Sequence, residues 1–286
     1  MRDVELHPSL RDPHVRAPAG LLALFARAWA NRFLILSLAR RDVVGRYRGS
    51  WAGLAWSFFN PLLMLGVYTF VFSVVFKARW QEVGAGGIKN FAVVMFAGMI
   101  VHGILAECLQ RAPALVMSNA SYVKRVVFPL DALAWVTLVS ALFHASISLA
   151  VLLCAQWLLV GPIPMTAWMV PLVIAPFALL SLGVIWIFAA LGVYLRDIGQ
   201  FTGILATALL FLAPILYPAS ALPESMRSWI YLNPVSFVVD QVRNVLMYGV
   251  MPDWTGLGIY ALVALLVAWI GFWGFQRAKA GFADVL

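Results

Sequence analysis

The groups in this sequence best suited to chemistry are guanidinium groups. Arg40, Arg41, Arg46 and Arg48 lie in the run Arg40-Arg41-Asp42-Val43-Val44-Gly45-Arg46-Tyr47-Arg48-Gly49-Ser50. A planar guanidinium fork matches phosphate oxygens, so the run suits phosphate headgroups or a partner. The plainer explanation is an Arg-rich anchor beside a first membrane crossing; Arg46 and Arg48 are the stronger functional candidates.

Ionisable groups inside apolar stretches are the next candidates, because they are costly there and retained for a reason. His102 and His144 both fall in such stretches, and Glu107 sits at the edge of one. No carboxylate lies mid-stretch beside either histidine, so a neutral imidazole bonded between helices is preferred to a proton relay. Phe59, Tyr68 and Ser73 are candidates for lining a pathway, since sugar rings stack on aromatic faces and their hydroxyls need polar partners. Catalysis has no support: the phosphate loop, the His-Glu-x-x-His zinc motif, the acidic metal pair and the Gly-x-Ser-x-Gly elbow are all missing. The chain therefore has no ATPase machinery and no expected metal or cofactor of its own. Cys108 and Cys154 support neither a disulfide framework nor a thiolate site.

The elements that must position these groups follow from composition. Of 286 residues, 63% are hydrophobic and 11% charged, far outside the usual soluble range. A crossing needs about 20 apolar residues at 1.5 Å rise to span roughly 30 Å. Uncharged runs lie between Arg48 and Lys77, Lys89 and Glu107, Asp197 and Glu224, and Asp253 and Arg277. The longer run from Asp131 to Arg196 is split by Gly161-Pro162-Ile163-Pro164 into two. The expectation is an all-α polytopic membrane protein with six transmembrane helices, near 55–76, 91–107, 133–158, 169–193, 199–218 and 255–276. Together they form a single transmembrane domain over 55–276, between a tail at 1–20 with residues 21–54 after it and a tail at 277–286. The second span is the shortest. All but five of the 20 Lys and Arg residues then fall on the side of the N-terminus, which puts both termini in the cytoplasm. No cleavable leader is expected in the charged, Pro-containing first 20 residues. The net charge of +8 is assigned to the membrane surface rather than to nucleic acid.

Residues 21–36 read as an amphipathic helix in the interface, with Leu22, Phe25, Trp29, Phe33 and Leu36 on one arc and Arg27 and Asn31 opposite. A basic connector follows it. The segment 219–252 is too interrupted to span and reads as two short re-entrant or interfacial helices divided at Asn233-Pro234, the first starting at Pro223-Glu224. Gly199 and Gly203 form a small-xxx-small pair that suits either a dimer face or packing within one chain.

In this order the features resemble the membrane subunit of type-2 ABC exporters, specifically those moving O-antigen, capsule or teichoic acid chains. The residues that carry the likeness are Arg41-Asp42-Val43-Val44-Gly45-Arg46-Tyr47-Arg48-Gly49-Ser50-Trp51-Ala52-Gly53-Leu54-Ala55-Trp56-Ser57-Phe58-Phe59-Asn60-Pro61-Leu62, the loop Lys124-Arg125-Val126-Val127-Phe128-Pro129, and Asn233-Pro234 with Arg243. The resemblance implies a homodimer in a bacterial inner membrane, served by two copies of an ATP-binding subunit that hold the ATP and Mg2+. It implies a lipid-linked polysaccharide as substrate, with Arg40, Arg41, Arg46 and Arg48 meeting its diphosphate. Tyr122, Val123, Lys124 and Arg125 would couple to the ATPase, and Trp229, Tyr231, Asn233, Pro234 and Arg243 would belong to an external gate. A drug or simple-lipid permease of the same family is the alternative within the class. A proton-coupled transporter or scramblase without an ATPase, and a membrane glycosyltransferase, are the alternatives outside it.

Overall fold

In the computed structural model, residues 20–75, 88–123 and 128–285 are described. Lys124, Arg125, the side chains of Ser73 and Val123, and the 1–19 part of the N-terminal tail lie outside that description. The described residues form helices: α1 Leu21–Ala30, α2 Arg32–Tyr47, α3 Trp56–Tyr68, α4 Ile88–Arg111, α5 Ala120–Val123, α6 Ala132–Leu159, α7 Val170–Tyr194, α8 Ile198–Phe211, α9 Glu224–Ile230, α10 Pro234–Arg243, α11 Trp254–Ala278 and α12 Phe282–Val285.

Among the described residues, five stretches are long and apolar enough to cross a bilayer: Gly53–Val71, Phe91–Arg111, Ala132–Leu159, Met165–Tyr194 and Trp254–Gly281. The second expected span is the reverse of marginal. α4 is the central helix, with 72% of its apolar window buried against 17% for Gly53–Val71, because α3, α6, α7, α8 and α10 all pack on it.

The fifth expected span, 199–218, is not one helix. α8 stops at Phe211 after 14 residues, about 21 Å at helical rise. Pro214 has no N–H to donate and its ring opposes the carbonyl four residues back. The chain nevertheless stays inside, with Ala213 and Ile215 fully buried. α8 is thus a short apolar helix followed by an irregular buried segment, which is admissible at membrane depth only where protein satisfies its carbonyls.

The N-terminal region also differs from expectation. One amphipathic helix over 21–36 is replaced by two helices that meet at a 70° bend. Asn31 makes the break: its side-chain amide donates to the Arg27 carbonyl at 2.9 Å, and the Arg32 guanidinium takes the Trp29 carbonyl at 2.9 Å. The Arg27 carbonyl also accepts the Asn31 backbone N–H at 3.0 Å, so these side chains add bonds to the last carbonyls of α1 at the point where the chain turns. The five apolar residues of the expected arc are all exposed, Leu22 and Trp29 at 86% and 72%, but they are divided between α1 and α2. The basic connector is largely helical, since α2 continues through it to Tyr47 and ends where Gly49 takes a left-handed φ of 84°.

α7 and α11 approach each other closely at residues the sequence reading passed over. A Cβ on Gly183 would lie 2.7 Å from the Ala268 backbone, and one on Gly271 would strike the Gly183 carbonyl. At Gly199 and Gly203 a Cβ would meet nothing within 4 Å, so this pair takes no part in packing within the described chain.

Candidate functional site

A row of polar contacts gathers where α2 lies across the ends of α4 and α6. On α2, Arg41 meets α5, Asp42 meets α4, and Arg46 meets both α4 and α6. Arg41 donates to the Tyr122 hydroxyl at 2.8 Å. Asp42 accepts both of its bonds from Arg111 Nη2, at 2.7 Å each. Arg46 Nη2 donates to Glu107 Oε1. Glu107 is the hub, because Arg111 Nη1 reaches the same oxygen at 3.2 Å and His144 Nδ1 sits 3.0 Å from its other oxygen. Arg46 Nη1 is 3.4 Å from that same Nδ1. Glu107 and Arg111 are four residues apart on α4, so they share a face and rise together to meet α2.

Sequence reasoning kept Glu107 at a span edge and left His144 without a carboxylate. The structure pairs them. A helix of 24 residues carries Glu107 one turn inside its end, and α6 brings His144 alongside from 37 positions away. Nδ1–H donates to the carboxylate in this geometry, and Tyr47 and Phe143 wall the imidazole edge-on at 6.2 and 5.8 Å. Burial raises the Tyr47 phenol from its ordinary pKa, with Arg46 lowering it and Glu107 raising it. His102 behaves as expected: its Nε2 is 2.9 Å from the Ala206 carbonyl, a bond between α4 and α8.

The four arginines therefore divide. Arg46 and Arg41 are committed to Glu107 and Tyr122, while Arg40 and Arg48 are exposed and carry no ion pair among the described residues. Tyr122 stacks on Phe128 with ring centroids 4.3 Å apart and planes 11° off parallel, which pins together the two ends of the loop that holds Lys124 and Arg125. Arg27 of α1 makes a parallel anchorage at this end, 3.6 Å from Asp131 Oδ1. A cavity of about 390 Å3 lies between Arg41, Asp42, Arg111, Gln110 and the α6 residues Leu133 and Thr137.

A groove of about 200 Å3 runs from Glu107 and His144 along α3, lined by Asn60, Pro61, Met64 and Tyr68. Tyr68 thus shares a surface with the charged cluster. Phe59 is exposed and outside that groove, packed edge-on against Phe58 at 6.1 Å.

At the other end of α4, Arg243 is 3% exposed and spreads its fork over three backbone carbonyls: Val94 at 3.2 Å, Pro214 at 2.6 Å and Ile215 at 3.2 Å. The Pro214 and Ile215 carbonyls belong to the irregular segment after α8, which leaves them without helical partners, whereas Val94 lies within α4. Val94 and Arg111 are about 26 Å apart along α4, so Arg243 and the α2 contacts mark opposite ends of the crossing. Asn233 caps α10 by accepting from Val235 N–H at 2.9 Å and donating to the Leu209 carbonyl at 2.8 Å. Pro234 opens the helix, as N1 proline should. Trp229 and Tyr231, in contrast, are exposed on and beside α9, and Tyr231 donates to Asp240 Oδ2 at 3.0 Å.

Residues 34–247 match the family described as ABC-2 type transporter. The chain is similar to the O-antigen export system permease protein RfbA of Myxococcus xanthus, with 28% identity covering 92% of this chain and 99% of that one. It is similar to the protein of the same description from Klebsiella pneumoniae, with 24% identity covering 88% and 95%. The polysialic acid transport protein KpsM of Escherichia coli is 22% identical over 84% of this chain and 92% of its own length.

Proposed function

The chain belongs to the ABC-2 type transporter family, and from that membership we propose that it is the membrane permease of an exporter whose cargo is a lipid-linked polysaccharide of O-antigen type. It is a multi-pass membrane protein and a permease subunit for polysaccharide export. The finer reading places it in a bacterial inner membrane with both termini in the cytoplasm, as a dimer of this chain bound to two ATP-hydrolysing subunits. The open surface at Gly199 and Gly203 and the exposed α3 span support self-association through the first and fifth crossings.

The observation that carries the mechanism is the row of contacts on α2. A displacement of the Tyr122 loop by an ATPase would pull on Arg41, and α2 would carry the movement to α4 and α6 through Asp42 and Arg46. α2 is in this reading a lever joining the ATPase contact to two membrane helices. Arg40 and Arg48 are the guanidinium groups left to meet a diphosphate at the membrane surface. A proton-coupled reading finds no support at His102, which is held by a backbone carbonyl, and His144 with its Glu107 partner belongs in the present reading to the α2 contacts.

The test is to purify the tagged permease in mild detergent and to score surface polysaccharide in cells lacking it. An ATPase subunit in stoichiometric amount, lost when Tyr122 to Arg125 are replaced, together with loss of surface polysaccharide on deletion, is the expected result. An isolated permease that moves lipid without any ATPase would overturn the proposal.

A further inference from the structure

Where α1 bends into α2, the two helices and the first turn of α6 enclose an open concavity of about 720 Å3. Phe25 and Trp29 come from α1, Ile35 and Leu36 from α2 and Trp135 from α6, and Arg32 is the one charged residue among the described residues that line it. Leu24 is the buried residue of α1, whereas Phe25, Trp29 and Leu36 are exposed. A contiguous apolar surface of this kind marks a place where something apolar binds.

The height of this concavity on the molecule is set by α6. That helix has 28 residues, a rise of about 42 Å, against roughly 30 Å of hydrocarbon and about 40–45 Å once the headgroup layers are included. Its first turn, which holds Trp135, therefore stands where headgroups meet acyl chains. α1 is held at the same height by Arg27, 3.6 Å from the carboxylate of Asp131, the residue that precedes α6. α2 is held there by Ile35 and Ala39, which are buried with Ala132 and Val136 of α6. Tryptophan favours that boundary, and Trp29 and Trp135 both line the concavity.

Arg32 supplies the charge. Its guanidinium lies over the rings of Trp29 and Phe33, 4.9 and 4.5 Å from their centroids, and donates to the Trp29 carbonyl at 2.9 Å. These contacts orient the group while using one of about five N–H donors, and no acidic side chain pairs with it among the described residues. An oriented guanidinium with free N–H groups beside an apolar hollow matches a phosphodiester joined to an acyl chain. α1 and α2 contain five arginines and a single acidic residue, Asp42, which Arg111 holds. The excess of positive charge favours an anionic headgroup over a zwitterionic one.

We propose that the elbow between α1 and α2 is a binding site for one anionic phospholipid of the surrounding leaflet, with its phosphate on Arg32 and an acyl chain in the concavity against Trp29, Leu36 and Trp135. The proposal rests on the multi-pass reading and is independent of the cargo. Arg32, Ile35 and Leu36 lie on the same helix as Asp42 and Arg46, so a lipid seated there steadies the N-terminal half of the lever at the membrane surface.

The test reconstitutes the full-length permease in phosphatidylcholine nanodiscs with a trace of phosphatidylglycerol that carries a photoactivatable diazirine in one acyl chain. After irradiation the adducts are mapped by peptide mass spectrometry. They are expected to concentrate on residues 25–36 and on Trp135. A phosphatidylcholine probe with the same chain should label these positions about fivefold less, the preference that one basic contact gives an anionic lipid. Arg32→Gln should bring phosphatidylglycerol labelling down to the phosphatidylcholine level. Ala26→Trp, which fills the concavity from an exposed position, should remove the adducts of both probes. If that variant loses its cooperative thermal transition, Leu36→Gln takes its place, with labelling expected to fall several-fold. Arg196→Gln, which replaces an exposed arginine outside the concavity, should label as the unsubstituted chain does. Equal labelling by the two probes, adducts unchanged by filling the concavity, an equal fall in Arg32→Gln and Arg196→Gln, or adducts spread evenly over the crossings overturns the site. Labelling that disappears when a co-purified ATPase subunit is present assigns the concavity to a protein contact and likewise overturns it. Export is not read in this experiment, so its failure leaves the transport reading standing.

Discussion

Replacing Glu107 by Gln preserves shape and removes the charge around which Arg46, Arg111 and His144 converge. An amide offers one acceptor oxygen, and its nitrogen then faces a donor, so at least one of these bonds is lost and the others lose their charge assistance. A hydrogen bond to a charged group contributes roughly 1.5–3 kcal/mol. The Arg46 side chain is 39% exposed and that of Glu107 17%, so solvent screening pulls the Arg46 share towards the surface value of about 0–1 kcal/mol. The more enclosed His144 contact keeps the larger part. The expected loss is about 2–4 kcal/mol, read from denaturant unfolding of the permease in nanodiscs. A double-mutant cycle with Arg46→Gln should give a coupling of about 1–2 kcal/mol. Export of surface polysaccharide should fall at least tenfold in each single variant and no further in the double, with the ATPase subunit still co-purifying. The two roles available to Arg46 separate here. If Arg46 served to grip phosphate, Glu107→Gln would release it for that task and export would hold or rise. Additive energies with normal export in Glu107→Gln and lost export in Arg46→Gln would refute the lever.

Arg243→Met should cost about 3–5 kcal/mol, as removal of one side of a buried charged network does, and Arg243→Lys should recover only part of it because an ammonium cannot reach carbonyls in a fork; thermal melting checks both. Gly183→Val should destabilise by at least the roughly 1–3 kcal/mol of an overpacked core, since its Cβ would sit 2.7 Å from backbone rather than from a movable side chain. Gly199→Leu with Gly203→Leu should leave the melting of the chain unchanged and shift its oligomeric state in detergent, measured by size-exclusion light scattering. His102→Asn should retain export, because an amide can still donate to the Ala206 carbonyl, and a loss confined to proton-gradient conditions would contradict the helix-bridging role.

Much of the architecture is legible without tertiary information because the bilayer imposes length and polarity on each crossing. The spans at 133–158, 169–193 and 255–276 agree with α6, α7 and α11 to within a few residues, since each is bounded by charge or by proline. Asn233-Pro234 marks the start of α10 for a local reason, a side-chain cap followed by a residue that tolerates N1. The failures are also physical. Hydropathy over 199–218 continues past Phe211, but Pro214 ends the helix and the apolar chain is kept inside by Arg243, 28 residues further on. The bend at Asn31, where two side chains bond to the last carbonyls of α1, leaves no mark in the apolar periodicity.

The amino-acid sequence alone determined the class of the molecule: the number of apolar runs, the side on which cations gather, the absence of hydrolytic motifs and the order of motifs shared with the family. Those properties depend on composition and on near neighbours in the chain. The site was decided by the fold. Arg46, Glu107 and His144 are separated by 61 and 37 positions, and each alone reads as an anchor, an edge residue or a lone intramembrane histidine. Only the packing of α2 across α4 and α6 makes them one cluster, because an ion pair acts over a few ångströms of space and is indifferent to the length of chain between its members.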